Sequence, residues 1–280
     1  MWFLAVALLA ACDTANVVSA PTPEPVPGPA PEPPRTTPQL LDPNAPHPDT
    51  VPLLSVDTLD ARCPVPRALL PRFTADSRIV KALRNGEPLT IVAIGSSSTE
   101  GVGASTLERA YPGQMQRMMM REWPRSPVRM VNVGIGGNTA EHMVARFSRD
   151  VYAYNPDVVI FQAGTIEALN RAPIAPFMRV FRDGIAQLRA KGYDVVIMDS
   201  QYYPGEGATA SYASYQDSMA VAAAQGSLPL VRRYDLMRHY VDTGRYTLRE
   251  LLWTDVFHPS EITYECAARL FTRGLEVAAR

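Results

Sequence analysis

The segment Leu89–Gly101, with the sequence Leu-Thr-Ile-Val-Ala-Ile-Gly-Ser-Ser-Ser-Thr-Glu-Gly, decides the fold class. It begins with a nearly continuous run of β-forming apolar residues, which is typical of a strand buried on both faces of a parallel sheet. The run ends in small residues, which let the chain turn sharply and begin a helix. A buried strand, a small-residue turn and a helix together form the repeating unit of an α/β protein.

The same alternation of strand and helix continues along the chain. Further strands are predicted at Val128–Val133, Val158–Gln162, Val195–Met198 and Leu228–Val231, and helices at Glu108–Trp123, Thr139–Tyr154, Pro176–Lys191, Ser211–Gln225 and Glu261–Ala279. Alternating strands and helices indicate a parallel sheet with helices on both faces. We therefore predict an α/β fold, a three-layer αβα sandwich around a central, mostly parallel five-stranded sheet. Ligands of such sheets bind beyond the carboxyl ends of the strands.

Composition narrows the range of functions. The chain has 280 residues, and its 27 basic residues against 28 acidic ones give a formal net charge of −1. This balance argues against a nucleic-acid-binding protein and against a polybasic membrane surface. Three cysteines cannot build a disulfide-dense scaffold or a four-cysteine zinc site, and with only four histidines we expect no metal and no other cofactor. One domain is predicted, at residues 57–280.

The N-terminus has the pattern of an export signal. Trp2–Ala11 is apolar but too short to span a bilayer, and its length fits the core of a signal peptide. The ending Leu9-Ala10-Ala11-Cys12 resembles a bacterial lipoprotein signal, in which the chain is cut before the cysteine and the cysteine carries lipid. The prediction is a signal peptide at residues 1–11 and a lipid on Cys12; the alternative is an ordinary cleaved signal with an incidental cysteine.

A proline-rich segment follows the predicted signal. Residues 21–52 contain 13 of the 26 prolines of the chain. Because proline fixes φ and lacks an N–H donor, we expect neither helix nor sheet there. Residues 12–56 are predicted to form an extended, semi-rigid and disordered tether, with a ligand for a proline-binding module as the alternative. The domain would then be a periplasmic monomer that meets the envelope membrane only through its lipid anchor.

The turn after the first strand places a serine at the start of a helix. There the side chain meets the positive end of the helix dipole and free backbone N–H groups, which favour an alkoxide or an oxyanion. The same geometry can hold a phosphate, but no lysine follows the turn as a P-loop requires. Gly95–Gly101 is therefore a candidate nucleophile turn.

Three other segments could complete a catalytic site. Asn132–Thr139 follows the second strand, and its Gly-Gly pair lets N–H groups point into a cleft, although it could equally be an ordinary capped turn. Gln162–Glu167 follows the third strand with another small-residue exit. Asp255 precedes His258 by three residues on a loop that ends in proline, which suits a base and the carboxylate that orients it.

The order of these segments resembles the SGNH (GDSL-type) hydrolase superfamily, from about Leu89 to the C-terminus. Gly95–Gly101 is similar to its first block, Asn132–Thr139 to its second, and the Asp-x-x-His segment to its last. Ile91–Ser105 and Tyr202–Pro204 are also similar to an alphaproteobacterial subgroup of exported members. The resemblance implies the flavodoxin-like SGNH hydrolase fold and catalysis without a cofactor.

The resemblance also implies roles for individual residues. Ser97 is the expected nucleophile, with His258 as its base and Asp255 as the carboxylate that orients the base. The backbone N–H groups of Ser97 and Gly137 are the expected oxyanion hole. Ser96 stands where the superfamily usually has an aspartate.

The third block departs from the superfamily pattern. An asparagine normally donates to the oxyanion there, but this chain has Ile166, followed by Glu167. Losing one such donor typically lowers turnover by about 10²–10³. Gln162 and Asn170 are nearby amides that could replace it. Otherwise the protein is slow or has lost hydrolysis.

The predicted function is a serine esterase that hydrolyses ester-linked acyl groups through an acyl-enzyme. Its substrate would be a small-molecule or carbohydrate ester, with acetyl as the acyl group considered first. One alternative is an envelope O-acyltransferase that uses the same three residues. The other is a weakened or non-catalytic binding protein, which Ile166 favours and the intact Ser97, Asp255 and His258 oppose.

Two cysteines remain once Cys12 is assigned to a lipid. An exported protein meets an oxidising compartment, so a disulfide between Cys63 and Cys266 is predicted. Cys63 lies in the proline-broken lead-in to the domain, and Cys266 lies on the last predicted helix. The alternative is two buried thiols that act as small hydrophobic residues.

Overall fold

Six strands form one sheet in the computed structural model, which describes residues 39–40, 54–205 and 209–280. The strands are β1 (Gln39–Leu40), β2 (Leu89–Ile94), β3 (Val128–Asn132), β4 (Val158–Gln162), β5 (Asp194–Met198) and β6 (Leu230–Val231). The predicted signal peptide, Cys12 and most of the predicted tether lie outside the described residues.

Helices surround the sheet. They are α1 (Val56–Arg62), α2 (Arg78–Asn85), α3 (Ser97–Glu100), α4 (Tyr111–Glu122), α5 (Ala140–Ala145), α6 (Phe147–Asp150), α7 (Thr165–Leu169), α8 (Ile174–Ala190), α9 (Thr209–Gln225), α10 (Arg233–Asp242), α11 (Leu248–Leu251) and α12 (Glu261–Ala279). Short 3₁₀ helices lie at Arg67–Leu69, Leu107–Arg109 and Tyr152–Tyr154. Within the described ranges no helix combines the length and the apolar character needed to cross a bilayer.

The strand order is β1-β3-β2-β4-β5-β6, and the five strands from β2 to β6 are parallel. The predicted five-stranded parallel sheet and its αβα layers are confirmed. Strand β2 lies between β3 and β4, so the chain winds outward from β2 in both directions. The crevice at the carboxyl end of β2 is the point where such sheets bind ligands.

Alternating side chains of β2 enter two different cores. Ile91 and Ala93 belong to one buried apolar cluster, and Val92 and Ile94 belong to the other. Helix α12 packs on α4 in the first layer, and α5 packs on α8 in the second. Because both faces of the strand are buried, nearly every residue in it has to be apolar, which is the pattern seen in the sequence.

The segment 139–154 is not the single helix that its sequence predicts. Thr139 caps α5 by accepting the N–H of His142 at 3.3 Å, and α5 ends at Arg146. The buried guanidinium of Arg146 donates to the carbonyl oxygens of Val133 at 2.7 Å and Gly95 at 3.3 Å. The helix therefore breaks where one side chain joins the ends of β3 and β2.

The proline-rich segment contains a short strand, so the prediction that no sheet forms there is wrong for two residues. Gln39 and Leu40 pair antiparallel with Asn132 and Val131 of β3. Both residues lie in a stretch between Pro38 and Pro43 that contains no proline, so their backbone N–H groups can join the sheet.

A disulfide joins Cys63, directly after α1, to Cys266 on α12. Both residues are fully buried in the same apolar cluster. Arg269 on α12 is also buried, and its Nε donates to Asp60 of α1 at 2.6 Å. The lead-in to the domain is therefore fastened to the helix that follows the Asp-x-x-His loop.

Candidate active site

Ser97 is the first residue of α3 and lies directly beyond the carboxyl end of β2. Gly95 is required at the preceding turn, because a Cβ there would stand 2.0 Å from Thr99 Oγ1. Ser97 is 8% exposed, and its N–H has no acceptor among the described residues. The serine is therefore largely buried, with a free backbone donor beside it.

A buried amide holds this turn in place. The side-chain oxygen of Gln162 accepts from Ser96 N at 2.9 Å and from Thr99 Oγ1 at 3.0 Å, and its Nε2 donates to Thr165 Oγ1 at 3.1 Å. Gln162 is fully buried and uses both ends of its amide in this network. These contacts commit Gln162 to holding the turn, and its replacement of the missing oxyanion donor stays a prediction.

Ser97, His258 and Asp255 form a continuous hydrogen-bonded chain. Ser97 Oγ lies 2.9 Å from His258 Nε2, and His258 Nδ1 lies 2.5 Å from Asp255 Oδ2. Asp255 Oδ1 accepts the backbone N–H groups of Phe257 at 3.0 Å and His258 at 2.9 Å. Partial burial would raise the pKa of Asp255, but these hydrogen bonds outweigh it and lower the pKa, which keeps the carboxylate ionised.

The loop that carries Asp255 and His258 is closed at its base. Leu252 and Pro259 form an antiparallel bridge, and the N–H of Trp253 donates to the carbonyl oxygen of His258 at 2.7 Å. The base and its carboxylate thus belong to one small rigid unit. The position of this unit relative to Ser97 depends on how the loop and the following helix α12 pack against the rest of the domain.

The loop after β3 faces the serine from the other side. The N–H of Gly137 has no acceptor among the described residues, and no atom lies within 4 Å of the place where its Cβ would stand. Its φ of +75° is a conformation that favours glycine. The free N–H groups of Ser97 and Gly137 are therefore available as oxyanion donors.

Glu100 holds the same loop. Its Oε2 accepts the N–H of Gly136 at 2.8 Å. A Cβ added to Gly136 would stand 3.1 Å from that oxygen and 3.7 Å from Ser97 Cβ, so the loop passes close to the serine. Asn132 adds a second link, because its Nδ2 donates to the carbonyl oxygen of Thr99 at 2.7 Å.

The third-block position carries no polar side chain in this fold. Ile166 is half-buried on α7, and Asn170 is exposed at the end of that helix. Glu167 points inward, where its Oε1 accepts the N–H of Ala140 at 2.5 Å, and burial raises its pKa. Ile166 supplies no side-chain donor, and neither Glu167 nor Asn170 has a hydrogen bond with Ser97, Asp255 or His258.

Sequence reasoning missed the residues that support the site. Glu100 contacts the loop after β3, and Arg146 joins the ends of β3 and β2. Gln201 contacts the loop that carries Asp255 and His258, where its Nε2 donates to Phe257 O at 3.3 Å. One sequence signal could have pointed to Gln201: it is a polar residue that follows an apolar strand closely, as the third residue after β5. Among the described residues no group of three or more His, Cys, Asp or Glu side chains could hold a metal ion.

Solved structures with the same fold include several esterases. A two-domain esterase active on acetylated mannans, crystallised with mannopentaose, has a TM-score of 0.62 at 22% identity, over 75% of this chain and 55% of that one. A putative lipolytic protein of the G-D-S-L family from Desulfitobacterium hafniense has a TM-score of 0.57 at 20% identity, over 66% and 99% of the two chains. These likenesses show an SGNH-hydrolase fold.

Sequence comparison assigns the family. A segment of 91 residues is 31% identical to an acetylxylan esterase of Geobacillus stearothermophilus, and it spans 32% of this chain and 41% of that relative. The chain thus matches less than half the length of this relative. The model of the Non-GDSL lipase-like family matches residues 62–280. The chain therefore belongs to the Non-GDSL lipase-like family.

Proposed function

We propose that this protein is a serine esterase with Ser97 as nucleophile, His258 as general base and Asp255 as the orienting carboxylate. The hydrogen-bonded chain from Ser97 Oγ through the imidazole to Asp255 carries the proposal. Such a chain activates a hydroxyl that is otherwise a weak nucleophile.

In the first step Ser97 Oγ attacks the ester carbonyl carbon, and its proton passes to His258 Nε2. Asp255 stabilises the imidazolium that forms, since its carboxylate is ionised and hydrogen-bonded to Nδ1. The carbonyl oxygen becomes an oxyanion, which accepts from the N–H groups of Ser97 and Gly137. The intermediate then collapses to an acyl-serine, and the alcohol leaves with the proton from His258.

Water completes the cycle. His258 Nε2 accepts a proton from water, whose oxygen attacks the acyl carbon, and a second oxyanion forms in the same hole. Collapse of this intermediate releases the carboxylic acid and returns the proton to Ser97 Oγ. No cofactor takes part in either half of the reaction.

The proposed substrate is an acyl ester on a carbohydrate, with acetyl as the acyl group. The acetylxylan esterase relative and the acetyl-mannan esterase with the same fold support this class. A small-molecule ester is the simpler alternative substrate, and it is the one used in the first assay below.

Covalent labelling tests the nucleophile. A fluorophosphonate should label the wild-type protein and lose its target in Ser97→Ala, and that variant should also lose hydrolysis of p-nitrophenyl acetate. Ser98→Ala is the matched control, because Ser98 is the adjacent serine, is buried, and its Oγ has no partner among the described residues. Equal labelling of wild type and Ser97→Ala would disprove the assignment.

A non-catalytic binding role is the second candidate, because Ile166 supplies no side-chain donor to an oxyanion. A folded wild-type protein that neither binds the fluorophosphonate nor hydrolyses the acetate would favour this role. Measurable turnover, even slow, would favour the esterase.

Export and membrane attachment are part of the proposal. We expect Cys12 to carry a lipid and to hold the domain in the periplasm. Replacing Cys12 by serine should release the protein from the membrane fraction. Membrane association that persists in this variant would refute the anchor.

A further inference from the structure

Two exposed apolar side chains flank the catalytic carboxylate. Within the described part of the chain, four large hydrophobic residues are about half exposed, and they include Trp253 at 45% and Val256 at 51%. These two residues lie on either side of Asp255, in the loop that also carries His258. Exposed apolar surface beside a reacting group is typical of a ligand contact.

Trp253 is fixed relative to the catalytic base. Its N–H donates to the carbonyl oxygen of His258 at 2.7 Å, and its own carbonyl oxygen accepts the N–H of Val256 at 2.9 Å. Its side chain packs against Gly103 at its base. A Cβ added to that glycine would stand 3.2 Å from Trp253 Cβ and 3.4 Å from Trp253 Cγ. The side chain of Trp253 therefore packs against the backbone of Gly103 on one side and is exposed to solvent on another.

The chemistry of this surface is amphipathic. The indole N–H of Trp253 has no acceptor among the described residues, and the residues between Trp253 and Val256 are the polar, exposed Thr254 and Asp255. A long acyl chain needs continuous apolar surface, which this loop interrupts. A sugar ring offers an apolar C–H face to stack on an indole and hydroxyl groups at its edge.

We propose that Trp253 is the platform on which the ester-bearing sugar ring stacks, and that it determines the preference for carbohydrate esters over simple esters. This inference rests on the proposed esterase function and names the substrate class of the same site. Because a backbone hydrogen bond joins Trp253 to His258, a ring stacked on the indole would be bound close to the base.

The test compares two esters in the full-length protein. Trp253→Ala should lower kcat/KM for partially O-acetylated mannopentaose about tenfold, the size of effect that a lost aromatic stack produces. Hydrolysis of p-nitrophenyl acetate, which has no sugar ring to stack on the indole, should fall much less, so the ratio of the two kcat/KM values should drop. Trp253→Phe should be intermediate. Val277→Ala, a similarly exposed apolar site on α12, is the control and should match wild type.

A binding measurement separates this inference from the proposed function. Calorimetric titration of unacetylated mannopentaose into Ser97→Ala and into Ser97→Ala/Trp253→Ala does not depend on turnover, and the second protein should bind about tenfold more weakly. Equal binding, or equal oligosaccharide hydrolysis with and without the indole, would overturn the platform while leaving the esterase intact. A larger loss on p-nitrophenyl octanoate than on the oligosaccharide would show that Trp253 contacts the acyl chain instead, and would also overturn it.

Discussion

Breaking the disulfide between Cys63 and Cys266 should destabilise the protein strongly. The two cysteines are 203 residues apart, so the bond restricts a large part of the unfolded chain. The loop-entropy relation gives about 5 kcal/mol for a loop of this length at 25 °C. Since 1 kcal/mol shifts the melting temperature of a chain of this size by about 2–4 °C, the midpoint should fall by about 10–20 °C.

Two measurements separate the cross-link from the packing around it. Urea unfolding of the wild type with and without dithiothreitol keeps both sulfur atoms and changes only the bond. The variant Cys63→Ala/Cys266→Ala also removes two buried side chains, so its loss should be larger than that of the reduced wild type. Cys12→Ser is the control and should keep the oxidised midpoint.

The result that would refute this reasoning is a reduced wild type whose free energy of unfolding lies within about 1 kcal/mol of the oxidised protein. The unfolded chain would then be compact enough for the bond to restrict little, or the ion pair between Arg269 and Asp60 would hold α1 on α12 without it. Combining Arg269→Met with reduction would distinguish the two explanations.

Three further perturbations test the site and the buried charges. Ile166→Asn adds an amide at the third-block position and should raise kcat on p-nitrophenyl acetate by up to about 10²; an unchanged kcat in the folded variant would mean that the oxyanion hole is already complete. Glu100→Ala frees the N–H of Gly136 and should lower kcat roughly tenfold with KM little changed, whereas Glu100→Gln keeps an acceptor and should stay near wild type; equal losses would point to the charge instead. Burial raises the pKa of Asp199 to about 7, so its proton stabilises the folded protein at low pH, and this contribution, of order 4 kcal/mol, is lost as pH rises from about 4 to 7. Asp199→Asn should therefore flatten the dependence of urea stability on pH across this range, and an unaltered slope would contradict the assignment.

The sequence pattern was sufficient for the parallel sheet but not for all of its helices. β2 and β4 have the predicted limits because strands buried on both faces need unbroken apolar runs, which are visible in a single sequence. Helix α10 was missed because its first residue is a buried arginine, and its apolar residues are interspersed with the charged Asp235, Arg238 and Asp242. A buried charge depends on partners far away in the chain, such as the carbonyl oxygen of Asp199 that accepts from Arg233 Nη2, and no local sequence pattern predicts such partners.

Only the residues of the site that lie in sequence motifs could be predicted. Ser97, Asp255 and His258 stand in short segments whose order along the chain resembles that of a known superfamily, and the structure brings these three side chains together. The contacts of Glu100 and Gln162 could not be predicted, because a carboxylate that accepts from a loop 36 residues later and an amide that spans two strand ends are purely tertiary arrangements.

Because His258 lies in the closed loop from Leu252 to Pro259, its two side-chain contacts differ in their sensitivity to distant mutations. The orientation of the imidazole is set by groups within three residues, so it should survive most distant mutations. The contact between His258 Nε2 and Ser97 Oγ joins residues 161 positions apart and depends on how α12 sits against the sheet. A core substitution that moves α12 by about an ångström would leave His258 oriented by Asp255 but without its hydrogen bond to Ser97 Oγ. Such variants would be stable and correctly folded, but slow.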